Sequence, residues 1–296
     1  MKRLLRMLAV AGVIALMSTA LFGCGQGGQE GQEGGEGGEE AKGQVELGYV
    51  EWDSEIASTN VVKKVLEDQG YEVKITAVDA GIMWTGIGNG DFDGIVAAWL
   101  PGTHGDYYEK VKDNVENLGP NLDGAKIGLA VPAYMDINSI DELNSVKDEL
   151  DGEIIGIEPG AGIMSATEKA IEDYSLDLNL KDSSTAAMTA TLKSKIENEE
   201  AVVVTEWTPH WPFAAWDLKY LEDPEGSYGG EEHIATIVRP GLKEEMPDVY
   251  KILDNFYWSP KDMETVMLNT QQGLKPAEAA AQWIENNQDK VSKWVE

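Results

Sequence analysis

Apolar and polar residues alternate with a period of two through QVELGYVEW, residues 44–52, which predicts a strand. The period lengthens to between three and four in SEIASTNVVKKVLEDQG, which predicts an amphipathic helix closed by glycine. YEVKITAVD reads as a second strand, AGIMWTGIGNGD as a short helix ending in glycines, and DGIVAAWL as a third strand. Such a βαβαβ opening predicts a mostly parallel sheet with helices on its faces. The rhythm restarts after KIGLAVPAYM and the helix-like SIDELNSVKDEL: EIIGIEP, LDLNLKD and AVVVTEW read as strands, with GIMSATEKAIEDY and TAAMTATLKSKIENE as the helices between them. Two units of similar size predict an α/β body of two lobes. From about His233 the chain reads as a strand, HIATIVRPGL, and then as helices ending in PAEAAAQWIENNQDKVSKWV. This tail is expected to return to the first lobe, giving lobe 1 as residues 44–136 plus 229–296 and lobe 2 as residues 137–228.

Composition changes this picture mainly at the amino terminus. With 42% hydrophobic and 8% aromatic residues, the 296-residue chain can fill the cores of two lobes. Lys2, Arg3 and Arg6 precede an uncharged run from Met7 to Gly23, the layout of a secretory signal peptide over residues 1–23 and shorter than the ~20 apolar residues of a membrane span. Cys24 is the only cysteine, so no internal disulfide can form. Leu-x-Gly-Cys at the end of the apolar run resembles a bacterial lipobox, in which Cys24 is the site of lipid attachment. Residues 25–43 hold nine Gly and five Glu in nineteen positions, a composition that buries nothing and predicts a flexible tether over residues 24–43. The expected location is the extracytoplasmic face of the cell membrane, held by lipid.

Charge excludes one class of partner. The chain carries 53 acidic and 23 basic residues, a net −30, and removal of Lys2, Arg3 and Arg6 leaves 53 against 20, near −33. Such a surface repels nucleic acid. It keeps an exported protein soluble and also suits high external salt, which screens the repulsion between carboxylates.

Candidate chemistry sits at the ends of strands, where open α/β sheets place their ligand contacts. GYVEWDSE puts Trp52 there, VAAWLPGTH puts Trp99 and His104, EPGAGIM puts a Gly-rich turn before a helix, and VVVTEWTPHWPF puts Trp207 and His210. Indole is the strongest cation–π surface among side chains, and several indoles around one point select quaternary ammonium groups. Trp52, Trp99 and Trp207 therefore read as an aromatic cage, whereas Trp84, Trp211, Trp216, Trp258, Trp283 and Trp294 read as packing residues. The free N–H groups of Gly162 and Ile163 at a helix start can donate to a carboxylate, with His104 as a further donor. Past the amino-terminal segment Arg239 is the only arginine, which argues against a bidentate arginine clamp and for amides plus a histidine.

WLPGTH followed by an acidic-aromatic helix, then GAGIM and TEWTPHWPF, set behind the strand-end Trp of GYVEWDSE, closely resembles the glycine betaine-binding proteins of ABC uptake systems. The resemblance covers the chain from about Gln44 to its end. It implies an α/β, two-lobed periplasmic-binding-protein fold, type II-like, with the ligand in the interlobe cleft. By motif position Trp52, Trp99 and Trp207 would cage the trimethylammonium while Gly162, Ile163 and His104 bind the carboxylate. The implied ligand is glycine betaine and also proline betaine; the implied partner is a membrane permease, with a monomeric binding protein and no cofactor or metal. Relatives reorder these segments by circular permutation, so their order does not fix the subgroup. Choline lacks the carboxylate that would satisfy the amide and His104 donors, carnitine is longer, and a ligand-sensing lipoprotein receptor would close on its ligand in the same way. An enzyme fits poorly, since the chain has three histidines, His104, His210 and His233, and no nucleophile motif, metal-ligand spacing or phosphate loop.

Overall fold

The structure, a computed structural model, describes residues 41–296. The expected signal peptide, the expected lipid site Cys24 and the part of the expected tether before Ala41 lie outside the described residues.

The first predicted unit forms as β1 (Gln44–Tyr49), α1 (Asp53–Asp68), β2 (Glu72–Ala77), α2 (Ala80–Asn89) and β3 (Gly94–Leu100). Helix α1 buries Val61, Val62, Val65 and Leu66 on its apolar face. Helix α2 stops at Gly90, whose φ of 80° supplies the left-handed end that closes helices. Every residue of β3 is buried, as its unbroken apolar run requires of a central strand. A short α3 (Gly105–Val111) leads to β4 (Glu116–Pro132), a strand of 17 residues.

The second unit comprises β5 (Glu153–Ile155), α4 (Gly162–Asp173), β6 (Asn179–Lys181), α5 (Thr185–Glu197) and β7 (Val204–Thr208), then α6 (Pro212–Ala215) and β8 (Leu218–Tyr220). SIDELNSVKDEL folds as a 3₁₀ helix over Ile140–Val146, held at its start by a capping box between Ser139 and Glu142. The tail gives β9 (Glu232–Val238), α7 (Leu242–Glu245), α8 (Pro247–Asn255), α9 (Pro260–Gln271), α10 (Pro276–Asn286) and α11 (Gln288–Val295). The terminal segment is thus two helices. The chain leaves helical geometry at Asn287, whose side chain donates back to the Trp283 carbonyl. Trp283 and Trp294 stack at 5.9 Å, and Phe256 and Trp258 complete an aromatic core with them.

The strands run in the order β2-β1-β3-β9-β4-β7-β5-β6, with β8 beside β4. The expected parallel order holds for β1 with β2 and β3, and for β5 with β6 and β7. Strands β4 and β9 instead run antiparallel to their neighbours, so the sheet is mixed. Over Glu116–Ala125 β4 pairs with β9, and from Lys126 it pairs with β7, so one strand passes from the first half of the sheet into the second. The chain returns between β8 and β9. This arrangement turns the ends of β1, β3 and β7 and the start of α4 toward one another.

Candidate functional site: an aromatic cavity between the two halves

Trp52, Trp99, Trp207, His104, Gly162 and Ile163 all line a single cavity, together with Ser54, Thr103, Ile127, Ile157 and Ala161. No charged side chain is in that wall. Trp52 is the N-cap of α1, while Trp99 and Trp207 are the penultimate residues of β3 and β7, inside the strands and not beyond them. The loops that follow these two each turn on a cis peptide, Leu100–Pro101 and Thr208–Pro209.

Each indole is held by a different neighbour. His104 stacks on Trp52 with ring centroids 5.6 Å apart, and His210 stacks on Trp207 at 4.0 Å with the planes 11° apart. Trp99 donates its indole N–H to Glu55 Oε1 at 2.5 Å. The Nε1 groups of Trp52 and Trp207 are buried and have no partner among the described residues.

His104 is fully buried, and burial pushes its imidazole down to about 3, so the ring is neutral. The Trp99 backbone N–H donates to its Nδ1 at 3.2 Å. A hydrogen bond to the Ala97 backbone raises the ring against burial, and Nε2 is buried without a partner. The His104 loop is fastened by Glu232 of β9, which accepts from the Gly102 and Thr103 amides at 2.6 and 2.7 Å and from the Thr103 hydroxyl.

Opposite this loop, α4 begins at Gly162. Its first amides, those of Gly162 and Ile163, have no carbonyl of their own helix behind them, and they stand at the positive end of a 12-residue helix. A Cβ on Gly162 would lie 2.1 Å from the Thr103 carbonyl oxygen, so the two backbones meet here as only glycine permits.

Behind Trp207 lies a charged chain of contacts. His210 Nδ1 is 2.6 Å from Glu206, its Nε2 is 3.2 Å from Asp53, and Trp211 Nε1 donates to the same Asp53 oxygen at 2.6 Å. Burial opposes charge on His210, but Glu206 and Asp53 outweigh it and raise the imidazole to about 9. Burial likewise disfavours charge on Asp53, and the His210 ring with the Trp211 N–H leaves that carboxyl below its usual value. Asp53 heads α1 in the first half and His210 follows β7 in the second, so this link crosses between the halves. Among the described residues no cluster of His, Cys, Asp and Glu is placed to hold a metal ion, and no helix is long and apolar enough to cross a membrane.

Sequence reasoning passed over Glu55, Asp53, Glu206 and Glu232. One signal was present: Glu55 falls on the same helical face as Ser58, Thr59 and Val62, all buried, so an acid stands where the helical period calls for an interior residue.

The model of the OpuAC family, the substrate binding domain of ABC-type glycine betaine transport systems, matches residues 43–286. Over 159 residues the chain is 50% identical to GbuC of Listeria monocytogenes, named a glycine betaine/carnitine transport binding protein; the alignment covers 53% of each protein, so the chain spans about half the length of this curated relative. The crystal structure of lactococcal OpuAC, closed and complexed with glycine betaine, superposes with a TM-score of 0.82 at 48% identity, covering 86% of this chain and 99% of that one. A glycine/betaine/L-proline-binding protein, ProX of Borrelia burgdorferi, superposes with a TM-score of 0.82 at 39% identity, covering 86% and 97%. With a two-lobed binding-protein fold and a family match along most of its length, the chain belongs to the substrate-binding domains of ABC-type glycine betaine transport systems.

Proposed function

We propose that the chain captures glycine betaine, and proline betaine with it, on the extracytoplasmic side of an ABC importer. The trimethylammonium lies among Trp52, Trp99 and Trp207, and the carboxylate takes hydrogen bonds from the Gly162 and Ile163 amides and from His104 Nε2. One observation carries the reading: three indoles, a helix start and an unpartnered neutral imidazole share a cavity whose wall has no charged side chain. An uncharged wall suits a ligand of zero net charge, and the two kinds of contact match the two ends of a zwitterion. The same reading makes residues 1–23 a signal peptide and Cys24 a lipid anchor. It has lobes of 44–136 plus 229–296 and of 137–228 closing on the ligand as a monomer before docking on a membrane permease.

A second reading, carnitine, is favoured by the name of the Listeria relative. Choline would leave the amide and imidazole donors facing no anion. Calorimetric titration with glycine betaine, proline betaine, carnitine and choline separates these. The expected result is tight binding of the two short betaines and weak or absent binding of choline; tightest binding of carnitine would select the second reading, and binding of none would end both.

A further inference from the structure

Glu55 stands in the first turn of α1, fully buried, directly behind the cavity wall. Its Oε1 accepts the Trp99 indole N–H at 2.5 Å. Its Oε2 is buried with no hydrogen-bond partner, and no cation among the described residues neighbours the carboxyl closely enough to shift it. An interior carboxyl with one oxygen unsatisfied is destabilising by itself. Burial raises it to about 7, against the Trp99 N–H and the neighbouring Ser54 hydroxyl, which draw it down. The fold therefore keeps an acid without a counter-ion at the edge of a ring that faces the cavity.

The position on that ring matters. An indole has a negative face and a positive edge, and its N–H is the most positive point of the edge. A carboxylate hydrogen-bonded there fixes the plane of the ring and adds electron density to the face. It also attracts a cation beyond the ring in a medium that screens poorly. The α4 amides and the His104 ring line the same cavity, so a buried acid stands behind one part of its wall and hydrogen-bond donors stand in another, although the wall itself is uncharged.

We propose that Glu55 is the charge behind the cage: through the Trp99 N–H it aligns that indole and makes the cavity select a cationic head group over a neutral one of the same shape. The inference rests on the cage reading above. The appropriate probe pair is glycine betaine and 3,3-dimethylbutanoate, which replaces the ammonium nitrogen by carbon and keeps the carboxylate and the outline.

The test titrates both ligands into the full chain and into Glu55→Gln, whose amide oxygen can still accept the indole N–H. The wild type should prefer glycine betaine, and Glu55→Gln should weaken glycine betaine by about fivefold while changing 3,3-dimethylbutanoate by less than about twofold. Equal losses for the two ligands would mark a packing role, and no loss for either would mark an idle carboxyl; both overturn the proposal. A second measurement needs no variant. Titration of the wild type at pH 7 in buffers of different ionisation heat counts protons, and the cation should drive ionisation of Glu55 and release a fraction of a proton where the neutral ligand releases none. The other titratable groups around the cavity are Asp53 of α1, His104 after β3, and Glu206 and His210 of β7 and its loop; repeating the count with Glu55→Gln assigns the proton. No release with glycine betaine, or the same release from the variant, overturns the proposal. A wild type that binds neither ligand overturns the cage reading with it, whereas an unchanged preference in Glu55→Gln overturns the role of Glu55 alone.

Discussion

Gly162 is the residue where packing and the proposed carboxylate contact coincide. It gives the first amide of α4 and at the same point lets the Thr103 carbonyl approach to where a side chain would collide. Thr103 belongs to the His104 loop of the first half and Gly162 to the second, so an added methyl has to push the halves apart. Gly162→Ala should lower affinity for glycine betaine by about tenfold, the scale of a 1–3 kcal/mol overpacking cost, with little change in the unfolding midpoint without ligand. Titration and thermal unfolding of the variant check the two halves of that statement. That Trp52, Trp99, Trp207 and His104 line one cavity was legible in the sequence because they stand at strand ends, where α/β sheets place their ligand contacts. Glu55 and Glu232 were not, because their roles come from partners 44 and 130 residues away, Trp99 and Gly102, and no local pattern encodes a contact across that separation.

Among elements, α1 and the loop after β7 are joined by Asp53, His210 and Trp211 behind the cavity wall. The sign of the pH dependence follows from His210. Its value in the fold, about 9, lies above the ordinary 6.5, so the folded chain binds the extra proton between those limits. The stabilisation is then complete below about pH 6.5 and is lost as pH rises through about 9. The unfolding midpoint is expected to fall between pH 7 and 10, and Asp53→Asn is expected to lower it at pH 7 and to flatten that fall. A midpoint in Asp53→Asn that tracks the wild type at every pH would remove the link from the account. Most elements were legible from the apolar pattern, α1 and α4 from helical periods that coincide with buried faces and β3 from an unbroken apolar run. The first part of β4 was not: ENLGPNLDGA carries two glycines and a proline, reads as a loop, and is kept in the sheet by irregular pairing with β9, with register shifts between Asn117 and Gly119, Pro120 and Leu122, and Asp123 and Ala125.

For the whole molecule, the mixed sheet is what makes a site out of separate strand ends. Two βαβ units alone would each carry their own row of C-terminal loops; β4 passing from one half to the other turns the rows toward each other, and the cavity forms where they meet. Across this junction Tyr107 donates to the Gly160 carbonyl at 2.9 Å, Thr103 presses on Gly162, and Asp53 reaches His210 and Trp211, contacts that two separated halves would lack. On the proposed reading closure and ligand capture are one event, since a ligand in the cavity would touch Trp52, Trp99 and His104 from one half and Trp207, Gly162 and Ile163 from the other. A crystal structure of the chain grown with glycine betaine decides whether the ligand bridges the two halves in this way. The account predicts the ammonium nitrogen within about 6 Å of all three indole rings and the carboxylate about 2.7–3.2 Å from the Gly162 and Ile163 amides and His104 Nε2. A ligand bound the other way round, or outside the cavity, would contradict it.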